Sequence, residues 1–130
     1  MYMYLISVGS NIEPQKNIEH ARRVFEKETR LLGASRPIVT APVGYQYQPD
    51  FLNCAFYVGS PLNPKDFRAF LKNVETRLGR VRGPIKSGPR TIDLDIIAID
   101  NKIIDQSYYD QEYVRNPIDE LIKEFGLCPK

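Results

Sequence analysis

Two aspartates interrupt a strongly apolar segment in the second half of the chain. Asp93 and Asp95 lie two residues apart within residues 92–99, where isoleucine, leucine and alanine fill the other positions. In a β-strand, residues two apart point to the same face, so these carboxylates would project together, about 6.5–7 Å apart at Cα. Two neighbouring carboxylates repel each other and need a compensating cation. Oxygen ligands favour Mg²⁺ together with substrate phosphates; the alternative is a salt bridge to Arg90 or Lys86 at a sheet edge.

A basic segment directly precedes the aspartates and contains no acidic residue. Its basic residues are Arg77, Arg80, Arg82, Lys86 and Arg90. Glycines and prolines between them predict a loop. Guanidinium groups match phosphate oxygens in geometry and charge, so we predict that this loop brings Arg82 and Lys86 onto the phosphates of a small polyanion. The alternative is an exposed, solvated loop.

The stretch TAPVGYQYQPDFLN suggests a site for a planar ring. Phe51 and Asn53 would share one face of a strand, next to a rigid Pro42-Val43-Gly44 turn. A heterocycle could stack on the aromatic ring and pair its edge with the amide. A half-buried strand leaving a loop is the alternative.

Strands and helices must hold these residues in place, and the spacing of the apolar residues predicts where these elements lie. Residues 2–8 and the run from Phe51 predict strands, and residues 35–43 look extended at a sheet edge. A first helix is predicted from Pro14, with an apolar stripe that continues to Leu31 and Leu32 and ends at Gly33.

The second helix has the clearest signals. Asn63 is an N-cap candidate, Pro64 fits the first turn, and Gly79 supplies the stop. Asn101-Lys102 predicts a turn into a short strand, and Pro117 is predicted to begin a last helix. The order βαββαβ predicts an α+β, ferredoxin-like fold, with an antiparallel sheet and helices packed on it, in a single domain over residues 1–130.

Composition limits the possible classes. The 130 residues are 42% hydrophobic and 26% charged, with a net charge of +2, which is typical of a globular domain and gives little support to nucleic-acid binding. One histidine excludes a site with several histidine ligands. The N-terminus reads as a strand rather than a signal peptide, so we expect a cytoplasmic monomer with no membrane or nucleic-acid partner.

Several motifs together resemble the 6-hydroxymethyl-7,8-dihydropterin pyrophosphokinase family. They are S-V-G-S-N, A-P-V-G followed by Q-P-D-F-L-N, E-T-R-L-G-R-V-R, and K-S-G-P-R-T-I-D-L-D-I-I, in the family's order over residues 2–104. The resemblance implies the ferredoxin-like fold and transfer of pyrophosphate from ATP to the hydroxymethyl group of the pterin, with release of AMP.

The resemblance also implies roles for individual residues. Asp93 and Asp95 would hold two Mg²⁺ ions that bridge the phosphates of ATP. The nucleotide would be bound by Glu75, Arg80, Arg82, Lys86, Arg90 and Ile96, with Arg80, Arg82 and Asp95 taking part in catalysis. The pterin would be bound by Thr40, Pro42, Val43, Phe51, Asn53 and Tyr113.

After Ile104 the chain departs from the family pattern. The usual L-x-x-P-H-P segment is missing, Tyr113 stands for the second stacking aromatic, and Gln111 replaces an arginine for which Arg115 is a candidate substitute. These departures leave open a paralogue that binds nucleotide or pterin without turnover.

Overall fold

The computed structural model describes residues 1–80 and 89–130. Its strands are β1 (Tyr2–Ser10), β2 (Arg30–Ala34), β3 (Ile38–Thr40), β4 (Phe51–Ser60), β5 (Asp93–Ile99) and β6 (Lys102–Ile103). Its helices are α1 (Pro14–Glu28), α2 (Pro64–Arg77), α3 (Ser107–Asp110) and α4 (Glu112–Phe125).

The strands form one antiparallel sheet, in the order β2-β4-β1-β5-β6. Strand β1 pairs with one edge of β4 along its length, so β2 and β3 follow one another along the other edge. With α1 and α2 in the two crossovers, this is the predicted ferredoxin-like arrangement, extended by β6, α3 and α4.

The two faces of the sheet carry different layers. On one face, alternate residues of β1, β4 and β5 pack against the apolar stripes of α1 and α2 in the larger core. On the other face, a smaller core joins the sheet to Val114, Ile118 and Leu121 of α4. Because α4 is only 14 residues long and lies on part of that face, the remaining part is left for a cavity.

Helix α2 begins and ends as its residues predict. The side chain of Asn63 accepts a hydrogen bond of 2.9 Å from the backbone N–H of Asp66, and Pro64 occupies the first turn. Gly79 follows the helix with φ of +91°, a backbone conformation that side chains with a Cβ rarely adopt. The helix therefore ends where the chain turns back toward β5.

The predicted end of the first helix was wrong. Helix α1 stops at Glu28, and Leu31, Leu32 and Gly33 lie in β2. The Thr29 hydroxyl and N–H both donate to the carbonyl of Phe25, at 2.6 and 2.9 Å, which closes the last turn.

Gly33 has a different role from the predicted helix stop. A Cβ at this position would lie 2.5 Å from the ring of Phe125 on α4. The glycine therefore allows close approach of β2 and α4, a constraint that arises only in the folded chain.

The predicted start of the last helix was also wrong. Helix α4 begins at Glu112, and Pro117 lies buried within it. The carbonyl of Gln111 accepts bonds from Val114 and Arg115, at 3.1 and 3.0 Å, which forms a first turn well before the proline. The buried stripe on α4 outweighs the one backbone hydrogen bond that a proline removes.

None of the helices in residues 1–80 and 89–130 combines the length and apolar character needed to cross a membrane.

The Asn63 cap can be tested by substitution. Asn63→Ala removes the acceptor for the Asp66 N–H, and we expect a loss of about 1 kcal/mol in unfolding free energy, measured by urea denaturation. Lys65→Ala, an exposed change on the same helix turn, is the matched control. An effect of Asn63→Ala no larger than that of the control would contradict the capping role.

Candidate active site

The two aspartates project from the same face of β5, as predicted. Leu94 and Ile96 lie on the opposite face in the larger core, whereas Asp93 and Asp95 line a cavity together with Ile97. The register of β5 against β1 shifts between Ile96 and Ala98, which leaves Ile97 as an extra residue. The strand thus presents two carboxylates at one end and apolar side chains under α4 at the other.

Asp93 is held by two arginines. Nη1 of Arg80 lies 2.9 Å from one carboxylate oxygen, and Nη1 of Arg90 lies 2.9 Å from the other. The Arg80 side chain is 11% exposed, so this pair is shielded from water and is stronger than a surface ion pair. The predicted alternative, a salt bridge to Arg90, is therefore present for Asp93.

Asp95 differs from its neighbour. The side chain of Asp95 makes no hydrogen bond or ion pair with any residue of the described ranges, although its backbone pairs with Ser7 of β1. Water reaches its side chain, but protein atoms enclose it on several sides. This partial burial raises the pKa of Asp95 to about 7, with further contributions from Asp93, Glu75 and Asp105, while Arg80 opposes them. Among the residues that the structure describes, Asp93 thus has two arginines as direct partners and Asp95 has no cation as a direct partner.

A cavity of about 380 Å³, here the wide cavity, opens on this face of the sheet. Its walls include the predicted residues Thr40, Val43, Phe51, Asn53, Arg90, Asp93, Asp95 and Tyr113. Burial raises the pKa of Tyr113, and nearby Asp93 adds to the shift. Two aromatic side chains, an amide and the carboxylate pair therefore meet in one space.

A second cavity, of about 180 Å³, lies at the outer side of β5 and is here called the edge cavity. It is lined by Arg68, Leu71, Lys72, Leu94, Asp95, Ile96, Ile104 and Asp105. Asp95 and Asp105 line both cavities. Arg68 and Lys72 are exposed and form no ion pair within the described part of the chain, so the edge cavity has cations on one wall and carboxylates on the other.

Three of the edge-cavity residues were missed by the sequence reasoning. Arg68 and Lys72 are four positions apart on α2, a spacing that places them on one helix face, but the sequence does not say that this face borders β5. Asp105 follows β6, and its carboxylate accepts a 2.9 Å hydrogen bond from the N–H of Ser107 at the start of α3.

Some predicted residues lie elsewhere. Glu75 is buried and, like Arg80, lines neither cavity. Pro42 lies between two lining residues without lining the wide cavity itself. Arg115 donates to the carbonyl of Tyr109 at 2.9 Å, so it closes α3 rather than pointing into a cavity. Arg82 and Lys86 lie outside the described residues.

The Gly9-Ser10-Asn11 turn supports the site. A Cβ on Gly9 would lie 2.8 Å from the amide oxygen of Asn53, so only glycine leaves that amide in place. The Asn11 side chain donates to Gln48 and to the carbonyl of Pro49, at 2.8 and 3.0 Å, and accepts from the N–H of Arg90 at 2.8 Å. This short motif thus connects the loop that leads into β4 with the backbone of Arg90, which lines the wide cavity.

The donor set suits a metal that shares its coordination with a substrate. Within residues 1–80 and 89–130, no group of three or more histidine, cysteine or carboxylate side chains is arranged to hold an ion by itself. Two carboxylates on one face match the way Mg²⁺ is bound, through one or two protein carboxylates with phosphates and water. Burial contributes most to the raised pKa of Asp95, and the neighbouring carboxylates Asp93, Glu75 and Asp105 add to it; a divalent cation would offset their repulsion.

Comparison with known proteins points to one family. The model of the 7,8-dihydro-6-hydroxymethylpterin-pyrophosphokinase (HPPK) family matches residues 5–123. A 2-amino-4-hydroxy-6-hydroxymethyldihydropteridine pyrophosphokinase of Pseudomonas aeruginosa is 37% identical over 103 residues, which cover 77% of this chain and 63% of that protein. The Bacillus subtilis protein of the same name is 33% identical over 130 residues, covering 92% of this chain and 77% of its own.

The chain is shorter than several of these relatives. It spans 63% of the Pseudomonas protein and 20% of the Folic acid synthesis protein FOL1 of Dictyostelium discoideum, with which it shares 30% identity over 129 residues.

Because Asp93 and Asp95 have unequal surroundings, we expect that replacing each of them by asparagine has opposite effects on the free energy of unfolding. The pKa of Asp95 is raised above its value in the unfolded chain, so the folded protein loses stability as pH rises from about 4 to about 7. Asp95→Asn should therefore stabilise the metal-free protein at pH 8, and the gain should shrink toward pH 5. Urea denaturation in the presence of EDTA, at pH 8 and at pH 5, measures the change in unfolding free energy.

Asp93→Asn is the matched comparison. It removes the partner of Arg80 and Arg90, and we expect a loss of about 2 kcal/mol in unfolding free energy at pH 8. Equal effects of the two substitutions would contradict the assignment of the ion pairs to Asp93.

Proposed function

The chain belongs to the 7,8-dihydro-6-hydroxymethylpterin-pyrophosphokinase family, and from this premise we propose that it transfers pyrophosphate from ATP to the hydroxymethyl group of 6-hydroxymethyl-7,8-dihydropterin. The products are the pterin diphosphate and AMP. The observation that carries the proposal is the position of Asp95, which lines both cavities. Transfer between two substrates requires that they meet at one point, and Asp95 marks that point.

We assign the pterin to the wide cavity. The rings of Phe51 and Tyr113 offer faces for stacking, and the amide of Asn53 offers a donor and an acceptor for the ring edge. The side chain of Asn53 donates to the hydroxyl of Thr40, which fixes the amide in one orientation. Thr40, Pro42 and Val43 complete the proposed pterin wall.

We assign the nucleotide to the edge cavity and to the basic residues that border β5. Ile96 supplies an apolar surface there, and Arg68 and Lys72 face the carboxylates across the cavity. Arg80, Arg82, Lys86 and Arg90 are proposed to neutralise the phosphates, since arginine binds phosphate oxygens through paired donors.

Asp93 and Asp95 are the residues proposed to hold two Mg²⁺ ions with the phosphates. Bound Mg²⁺ would neutralise phosphate charge and align the reacting groups. The pterin hydroxyl oxygen forms a bond to the β-phosphorus and gives up its proton to water. The bond from that phosphorus to the oxygen bridging the α-phosphate breaks, and AMP leaves with that oxygen. The contribution of the protein is then to position both substrates and to stabilise charge.

Both cavities are built from one chain, which supports a monomer as the working unit. We place that monomer in the cytoplasm because ATP is supplied there. Size-exclusion chromatography with light scattering tests the oligomeric state.

One assay tests the proposed reaction. Purified protein is incubated with Mg²⁺, ATP and 6-hydroxymethyl-7,8-dihydropterin, and AMP is followed with and without the pterin. We expect pterin-dependent AMP that disappears in EDTA and falls about a hundredfold or more in Asp95→Ala. Asp110→Ala, an exposed aspartate that lines neither cavity, should retain activity.

Two other results would contradict the proposed reaction, each in a different way. Binding of both ligands without AMP would indicate a paralogue that binds without turnover. A protein that binds ATP but no pterin would have a different second substrate.

The nucleotide assignment predicts a role for the missed cations. The double substitution Arg68→Ala/Lys72→Ala should weaken the binding of Mg²⁺·ATP about tenfold, because charge-assisted contacts are lost. Isothermal titration calorimetry measures the affinity. Lys65→Ala removes a lysine from the same helix without touching either cavity and is the control; similar affinities for the control and the double variant would contradict the assignment.

A further inference from the structure

Glu75 is a carboxylate buried at the end of α2. It is 4% exposed, and a buried carboxylate is costly unless donors and cations surround it. Its Oε2 accepts two hydrogen bonds, one from the backbone N–H of Leu94 at 2.8 Å and one from Nη1 of Arg80 at 2.7 Å. Both donors connect Glu75 to the strand that carries the aspartate pair.

The first of these bonds fixes the strand between the aspartates. Leu94 lies between Asp93 and Asp95, and its N–H bonds to Glu75 rather than to β1. Strand β1 pairs with the other edge of β5 over the same residues. The segment that separates the two carboxylates is therefore held from both sides.

The second bond determines how the charge of Arg80 is shared. Nη1 of Arg80 donates both to Glu75 and to the Oδ1 atom of Asp93, at 2.7 and 2.9 Å. A divalent cation that binds Asp93 competes with Arg80 for this oxygen. If Glu75 lost its charge, Asp93 would keep the full attraction of Arg80, and the competition would favour the arginine.

We propose that Glu75 is a positioning residue for the metal-binding carboxylates, acting by holding Leu94 and by drawing Arg80 away from Asp93. This inference rests on the proposed function, because it requires that Asp93 bind a cation together with a nucleotide. It differs from the direct nucleotide contact that the resemblance implies for Glu75. Its burial and its bonds to Leu94 and Arg80 place it beneath the site rather than in a cavity wall.

The test is the effect of Mg²⁺ on nucleotide affinity. Calorimetry gives the Kd of an ATP analogue with a methylene group in place of the α,β-bridging oxygen, first in EDTA and then in saturating Mg²⁺. The Kd in EDTA divided by the Kd in Mg²⁺, here called the Mg²⁺ ratio, isolates the contribution of the metal. In Glu75→Gln, which keeps an acceptor for the Leu94 N–H, this ratio should fall about tenfold, while the Kd in EDTA should change less than twofold.

A second variant shows whether the effect passes through Arg80. Glu75→Gln/Arg80→Gln removes both buried charges, so it should fold even if the single variant does not, as thermal unfolding can confirm. Arg80 no longer competes for the Oδ1 atom of Asp93, while Arg90 stays paired with the Oδ2 atom as in the wild type. The Mg²⁺ ratio of the double variant should therefore lie within twofold of the wild-type ratio. A ratio reduced tenfold in the double variant would overturn the proposal.

Two further outcomes separate the alternatives. A Glu75→Gln variant that binds the analogue equally weakly with and without Mg²⁺, while the wild type binds well in both, would indicate direct nucleotide contact and overturn the positioning role. A wild-type protein that binds no analogue under either condition would overturn the proposed function, and the inference with it.

Discussion

Repulsion between two aspartates on one face of a single strand sets the conditions for the rest of the site. The fold compensates this repulsion at one aspartate only, because Asp93 has two arginines as partners and Asp95 has none in the described ranges. Asp93 is thereby held in place by Arg80 and Arg90, whereas the Asp95 carboxylate lines both cavities. A pair neutralised on both sides by protein cations would be more stable and would have less capacity to bind a metal.

The place of the site follows from how the helices cover the sheet. The face under α1 and α2 is filled with apolar side chains from three central strands. The opposite face has one long helix, α4, over part of its area, and polar residues occupy the same face of the same strands beyond it. The wide cavity is therefore the uncovered end of a sheet face, and Tyr113, in the first turn of α4, forms part of its border.

Local rules explain which features the sequence predicted. The caps and apolar stripe of α2 follow from residues close together in the chain, and the shared face of Asp93 and Asp95 follows from the two-residue period of a strand. The apolar residue Leu31 fits both a helix stripe and a strand, so spacing alone placed it wrongly. The partners of Arg80, and the position of Arg68 and Lys72 beside Asp95, depend on how α2 packs against β5, which no local sequence pattern contains.

One small side chain, that of Asn11, joins two parts of the site. It bonds at once to the loop that leads into β4 and to the backbone of Arg90, which pairs with Asp93. The loop that leads into β4 and the backbone of the arginine that pairs with Asp93 are thereby joined through one side chain. The position of the Arg90 backbone therefore depends on the same asparagine as the position of the loop that precedes β4.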